Sequence, residues 1–205
     1  MGLHQGDLSH QQARAIAAWW LPICAISIAV ILALFGDTGR EWLAYSRPAI
    51  RSGELWRLAS GHFVHLGISH LVMNLAGLLL VWYLTGMAFR RWQWLLITLM
   101  VIAGVDAGLW FFQTHLLWYV GLSGLLHGLL AAGILGCLGS QRIEVWILAV
   151  ALIAKLAYEQ SVGPLPGSEE STGGHVIVAA HAYGALAGAL AAGLLRIRVR
   201  RQASI

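Results

Sequence analysis

The chain has 205 residues, of which 59% are hydrophobic and only 11% charged, and its mean hydropathy is +0.72. A soluble domain of this size cannot hide that much apolar surface, so the composition specifies a membrane protein. The net charge of +4 comes largely from arginines gathered at the ends of apolar runs, which reads as membrane orientation and gives no nucleic-acid surface.

Runs of about 20 apolar residues, the length that crosses a hydrocarbon core of roughly 30 Å, predict six helices. They lie near 15–35, 69–89, 93–112, 121–139, 143–161 and 175–195. A short tail, 1–14, precedes the first, which lacks a small-x-small cleavage site and is read as a retained anchor. Cys24 and Cys137 fall inside apolar runs without metal or redox spacing. Arg90 and Arg91 separate the second and third spans, Arg142 the fourth and fifth, and Arg196, Arg198, Arg200 and Arg201 open the basic tail 196–205. The positive-inside rule puts these ends and Arg14 in the cytoplasm. The 36–68 loop is then external although it holds Arg40, Arg47, Arg51 and Arg57, diluted by Asp37, Glu41 and Glu54.

On this topology the fourth and sixth spans both start from the outer side, which puts Ser123 and His181 at compatible depths. Small residues recur every fourth position as Gly124, Gly128, Ala132 and Gly136 on one, and as Gly184, Gly188 and Ala192 on the other. Such stripes let helix backbones approach closely in lipid, either as generic packing or to bring a hydroxyl to an imidazole. A serine beside a histidine is a nucleophile with its general base, whereas a lone membrane serine usually bonds its own backbone. His70 and Asn74, at i and i+4 near the outer end of the second span, can donate to one oxyanion or simply tie helices together. Intramembrane histidines are costly to keep and argue for function.

These motifs together resemble the rhomboid intramembrane serine proteases. The likeness runs from Trp56-Arg57 and His65 through His70-x-x-x-Asn74 and Gly121-x-Ser123-Gly124 to His181-x-x-Gly184-x-x-x-Gly188. It implies an all-α membrane protein, a bundle of six transmembrane helices over 15–195 with a water-filled cavity opening outward. It further implies Ser123 as nucleophile, His181 as base, and an oxyanion hole from His70, Asn74 and the Ser123 amide. Trp56 and Arg57 would sit in a loop, 36–68, lying partly in the outer leaflet, with His65 a structural hydrogen-bonding residue there. The expected setting is a multi-pass protein of a bacterial inner membrane, both termini cytoplasmic and the site facing the periplasm. Its partners would be the bilayer and membrane-anchored protein substrates, with no cofactor.

Two positions depart from the family pattern. His127 stands where many rhomboids have a tyrosine that stacks on the catalytic histidine, and no glutamate follows Gly86. Neither change removes a catalytic group. The short chain without an appended soluble domain and the form GLSGLLHG look most like the rhombosortase branch, thought to process proteins with a C-terminal Gly-Gly motif, one membrane helix and a basic tail. Other readings are a general rhomboid protease, a rhomboid-like module that binds without cutting, and a proton-relaying transporter, for which no internal repeat is seen. His62, His65 and His70 lack zinc spacing, so no metal is expected. Asp106 and Lys155 lie at similar depth and could pair, or Lys155 could pair with Glu159 one turn away.

Overall fold

A computed structural model describes residues 19–140 and 142–202. The expected tail 1–14, the first residues of the span expected from 15, and 203–205 lie outside the described residues. In chain order the protein forms α1 (Trp20–Ala33), α2 (Gly36–Leu43), β1 (Tyr45–Ser46), α3 (Arg47–Arg51) and α4 (Arg57–Ser60). Then come α5 (Ile68–Thr85), prolonged by a 3₁₀ turn over Gly86–Ala88, and α6 (Arg91–Phe112). After these follow β2 (Trp118–Tyr119), α7 (Ser123–Cys137), α8 (Ile143–Ser161), α9 (Ser168–Thr172) and α10 (Val178–Gln202).

A helix lies at each of the six expected spans, but among the described residues only Ile68–Ala88, Arg91–Phe112 and Val178–Arg196 qualify alone, by length and composition, to cross a membrane. A fourth is added if α1 and α2, bent by 115°, count as one broken span. The other two fall short for different reasons. With 15 residues α7 is roughly 22 Å long, less than a hydrocarbon core of about 30 Å. Helix α8 has 19 residues but carries Glu144, Lys155 and Glu159.

The short helix is the most enclosed. It packs on α5, α6, α8 and α10, burying Leu125, Leu126, Leu129, Ala131, Ala132 and Ile134. Together with Leu122 it meets Val101 and Val105 of α6 and Leu78 of α5 in the main core. Glycine-rich α7 would be a poor helix in water. In an apolar medium every backbone amide must be paired internally, and the helix does that regardless of propensity. The glycines then serve contact: a Cβ on Gly184 would run into the carbonyl of Gly124, and one on Gly188 into the carbonyl of Gly128. Helices α7 and α10 therefore touch backbone to backbone at two successive turns.

The 36–68 loop is held by its arginines. Arg47, 3% exposed, donates to the carbonyls of Leu109, Trp110, Gln113 and Leu116 at 2.6–3.1 Å, satisfying the open C-terminal end of α6. Arg57 donates to Glu54 at 2.7 Å and to the carbonyls of Glu41 and Ala44 at 2.8 and 2.9 Å. Arg40 reaches Leu66 O at 2.7 Å and pairs with Asp37. Three of the four arginines that fit the charge rule worst are thus engaged in holding the loop. β1 pairs antiparallel with β2, Tyr45 opposite Tyr119, and so ties the loop to the segment leading into α7. Asp106 does not meet Lys155: it faces the buried His62, whose Nε2 lies 3.3 Å from its carboxylate.

The backbone contact generates a stability prediction. Gly188→Ala should destabilise the protein by about 1–3 kcal/mol, because the obstructing atom is a carbonyl that cannot rotate away. Gly193→Ala, with nothing within 4 Å of the new methyl, should be neutral or gain up to about 1 kcal/mol. Thermal unfolding of both variants in detergent checks the contrast.

Candidate active site

Ser123 is the first residue of α7 and follows Gly121, whose φ of +117° is a conformation that L side chains avoid. That turn is pinned from two sides: the Gly121 amide donates to Gly61 O at 3.0 Å, and the Tyr119 hydroxyl donates to Gly121 O at 2.8 Å. The bend turns the chain into the helix so that the serine begins it. Across the α7–α10 contact, Nε2 of His181 lies 2.9 Å from Oγ of Ser123.

The other nitrogen of the imidazole ring is equally engaged. Nδ1 of His181 is 2.8 Å from Oε2 of Glu159, a carboxylate on α8 that is 3% exposed. A carboxylate accepts only, so Nδ1 carries the proton and Nε2 is left free to accept from the serine hydroxyl. Lys155, one turn earlier on α8, pairs with the second oxygen of Glu159. Its Nζ is also 3.5 Å from His181 Nδ1, but two donors cannot bond each other, so the ammonium serves the carboxylate.

His127 lies flat on His181, ring centroids 4.1 Å apart and planes 14° from parallel, and its Nδ1 donates to Ser123 O at 2.7 Å. His127, Glu159 and His181 hold ligand-type atoms within 4.8 Å of one another. A shared ion would have to lie in both ring planes, which stacked imidazoles do not allow, and Lys155 already takes one carboxylate oxygen. The group does not fit a metal.

His70 and Asn74 border Gly121. A Cβ built there would stand 2.8 and 2.9 Å from Cε1 and Nε2 of His70 and 3.8 Å from Nδ2 of Asn74. Both side chains are buried, and the Asn74 amide nitrogen has no hydrogen-bond partner among the described residues. The Leu66 amide donates to His70 Nδ1 at 3.4 Å, which leaves Nε2 as the N–H facing the turn. Two donors thus converge beside the residue two before Ser123. The His65 ring meets His70 edge-on at 5.0 Å, and neither of its nitrogens has a hydrogen-bond partner among the described residues. Burial, and then the neighbouring His70, lower the pKa of His65 to about 4. Trp56 and Arg57 are not brought to Ser123. Trp56 is half exposed with its Nε1 3.3 Å from Trp42 O, and Arg57 braces the loop, linked to the site through the Gly61–Gly121 bond.

By sequence alone, Glu159 stands only as a partner for Lys155. The available signal was a carboxylate in an otherwise apolar helix, which is expensive there and demands a partner. Spacing could not reveal that the partner includes a histidine 22 positions away.

Residues 52–198, most of the chain, match the rhomboid domain. The chain belongs to the rhomboid family and is an integral membrane protein. It is similar to the rhomboid protease GlpG of Salmonella choleraesuis and of Salmonella newport, at 29% identity over 114 residues in each case. Those alignments cover 55% of this chain and 40% of either relative, so the match spans less than half the length of the relatives.

The turn before the helix is testable. Gly121→Ala should slow Ser123 labelling by a fluorophosphonate roughly tenfold to a thousandfold, since the methyl would strike His70 and strain the backbone. Gly53→Ala, also at positive φ but with nothing within 4 Å, should leave the labelling rate unchanged.

Proposed function

We propose that this protein is an intramembrane serine endopeptidase, and the observation that carries the reading is the 2.9 Å approach of His181 Nε2 to Ser123 Oγ at the start of a buried helix. As Oγ attacks a substrate carbonyl carbon, its proton passes to His181 Nε2 and a tetrahedral oxyanion forms. The His70 Nε2–H, the Asn74 amide and the Ser123 backbone N–H donate to that oxygen. The proton then leaves with the amine; water, deprotonated by His181, attacks the acyl carbon, and His181 returns that proton to Ser123 Oγ as the acyl group departs as a carboxylic acid.

The same reading holds the six long helices as six spans, termini cytoplasmic, in a bacterial inner membrane. Because α7 is short, a helix reaching one membrane face starts below the other, and a serine at its N-terminus would sit inside the layer. The clusters at Arg90–Arg91 and beyond Arg196 mark the cytoplasmic side once the loop arginines are discounted as structural. The substrate is an anchored protein cut near the outer end of its membrane helix, and the form GLSGLLHG favours tails bearing Gly-Gly. Glycines suit this chemistry, since each lowers the cost of unwinding a helix by about 1 kcal/mol relative to alanine.

Ser123→Ala and His181→Ala should each abolish cleavage of a membrane-anchored substrate while leaving the fold intact. Asn74→Ala should lower the rate by about tenfold to a thousandfold. Normal turnover by purified Ser123→Ala would refute the mechanism. For substrate class, co-expression with a tail-anchored reporter should yield a new C-terminus at Gly-Gly by mass spectrometry, and replacement by Leu-Leu should suppress it. Equal processing of both reporters would remove the Gly-Gly preference and retain a general rhomboid protease.

A further inference from the structure

The proposed catalytic pair does not stand alone. Glu159 places one carboxylate oxygen 2.8 Å from His181 Nδ1 and gives the other to Lys155. The side chain of Glu159 is 2% exposed, that of His181 5%, and that of Lys155 31%. An i,i+4 ion pair contributes little to helix stability even on a hydrated surface, where it loses little hydration. Burying the carboxylate is costly, and the geometry spends it on a histidine of another helix.

We infer that Glu159 is a positioning residue for the proposed hydrolysis, acting as the third member of a Ser123–His181–Glu159 triad whose charge is balanced by Lys155. The inference rests on Ser123 and His181 being nucleophile and base. Glu159 holds the Nδ1–H tautomer and the ring orientation, so that Nε2 faces the hydroxyl. When Oγ bonds the carbonyl carbon and its proton moves to Nε2, the Nδ1 proton stays on nitrogen. The ionised carboxylate then faces the imidazolium. Lys155 makes the resting cluster neutral, and the new imidazolium and oxyanion also cancel. The groups that face Glu159 are Lys155, His181 and, stacked beyond it, His127.

The test is the second-order rate of Ser123 labelling by a fluorophosphonate on the full chain in detergent, with thermal unfolding alongside. Wild type must label and Ser123→Ala must not. Failure of either would strike the protease reading itself, before Glu159 is at issue. Given that labelling, Glu159→Gln should slow the rate by about 10²- to 10⁴-fold without a large change in unfolding temperature. Glu159→Asp, which keeps the charge but not the length, should label faster than Glu159→Gln. Packing alone demands the reverse order, since glutamine is the isostere. The double variant Glu159→Gln/Lys155→Met, which leaves no unpaired charge, should fold and remain slow. A Glu159→Gln or double-variant rate within threefold of wild type, or glutamine outperforming aspartate, would overturn the triad and leave a Ser-His dyad.

Discussion

The contact of α7 with α10 at Gly124–Gly184 and Gly128–Gly188 is the constraint on which the rest of the molecule depends. In lipid, side-chain hydrophobicity does not draw helices together, so close backbone approach has to supply the association. Ser123 precedes Gly124 by one residue and His181 precedes Gly184 by three, so both lie at the same end of one crossing. The 2.9 Å separation of their reacting atoms is therefore a consequence of helix register, and two glycine pairs one turn apart leave that register little freedom to slide.

The 36–68 loop completes what helix packing begins. Arg47 caps α6, Arg57 closes the loop on its own carbonyls, and the β1–β2 pairing with the Gly61–Gly121 bond carries that rigidity to the turn before Ser123. Gly121 is the place where this bracing meets chemistry. A residue without a Cβ takes its positive φ readily and leaves room for the His70 ring. The same engagement explains why the loop arginines sit awkwardly in a charge-based topology: their guanidinium groups are spent on carbonyls and on Asp37 and Glu54.

Among the described residues, two buried groupings set a carboxylate against a histidine, in different surroundings. His62 and Asp106 meet beneath the loop, where His62 also packs edge-on against Tyr119, and they brace the approach to the turn. Lys155 and Glu159 stand behind His181. These two residues, with Glu144, set α8 apart from the helices that qualify as spans on composition. Its departure from a plain apolar helix is the feature that carries a carboxylate to the imidazole.

Some of this was written in the residue order. Apolar length located the helices, the four-residue glycine stripes marked which faces would touch, and His70-x-x-x-Asn74 stood on one face because i and i+4 always do. Those are local regularities, fixed by the helical repeat and independent of what packs beside them. The tertiary structure alone decided three other matters. Asp106 met His62 and left Lys155 to Glu159, because depth along a helix does not say which helices are neighbours. The loop arginines became structural because carbonyls at the end of α6 lay within their reach. Glu159 came to His181 because α7, α8 and α10 converge, a meeting of residues 22 positions apart on different helices that no spacing rule encodes.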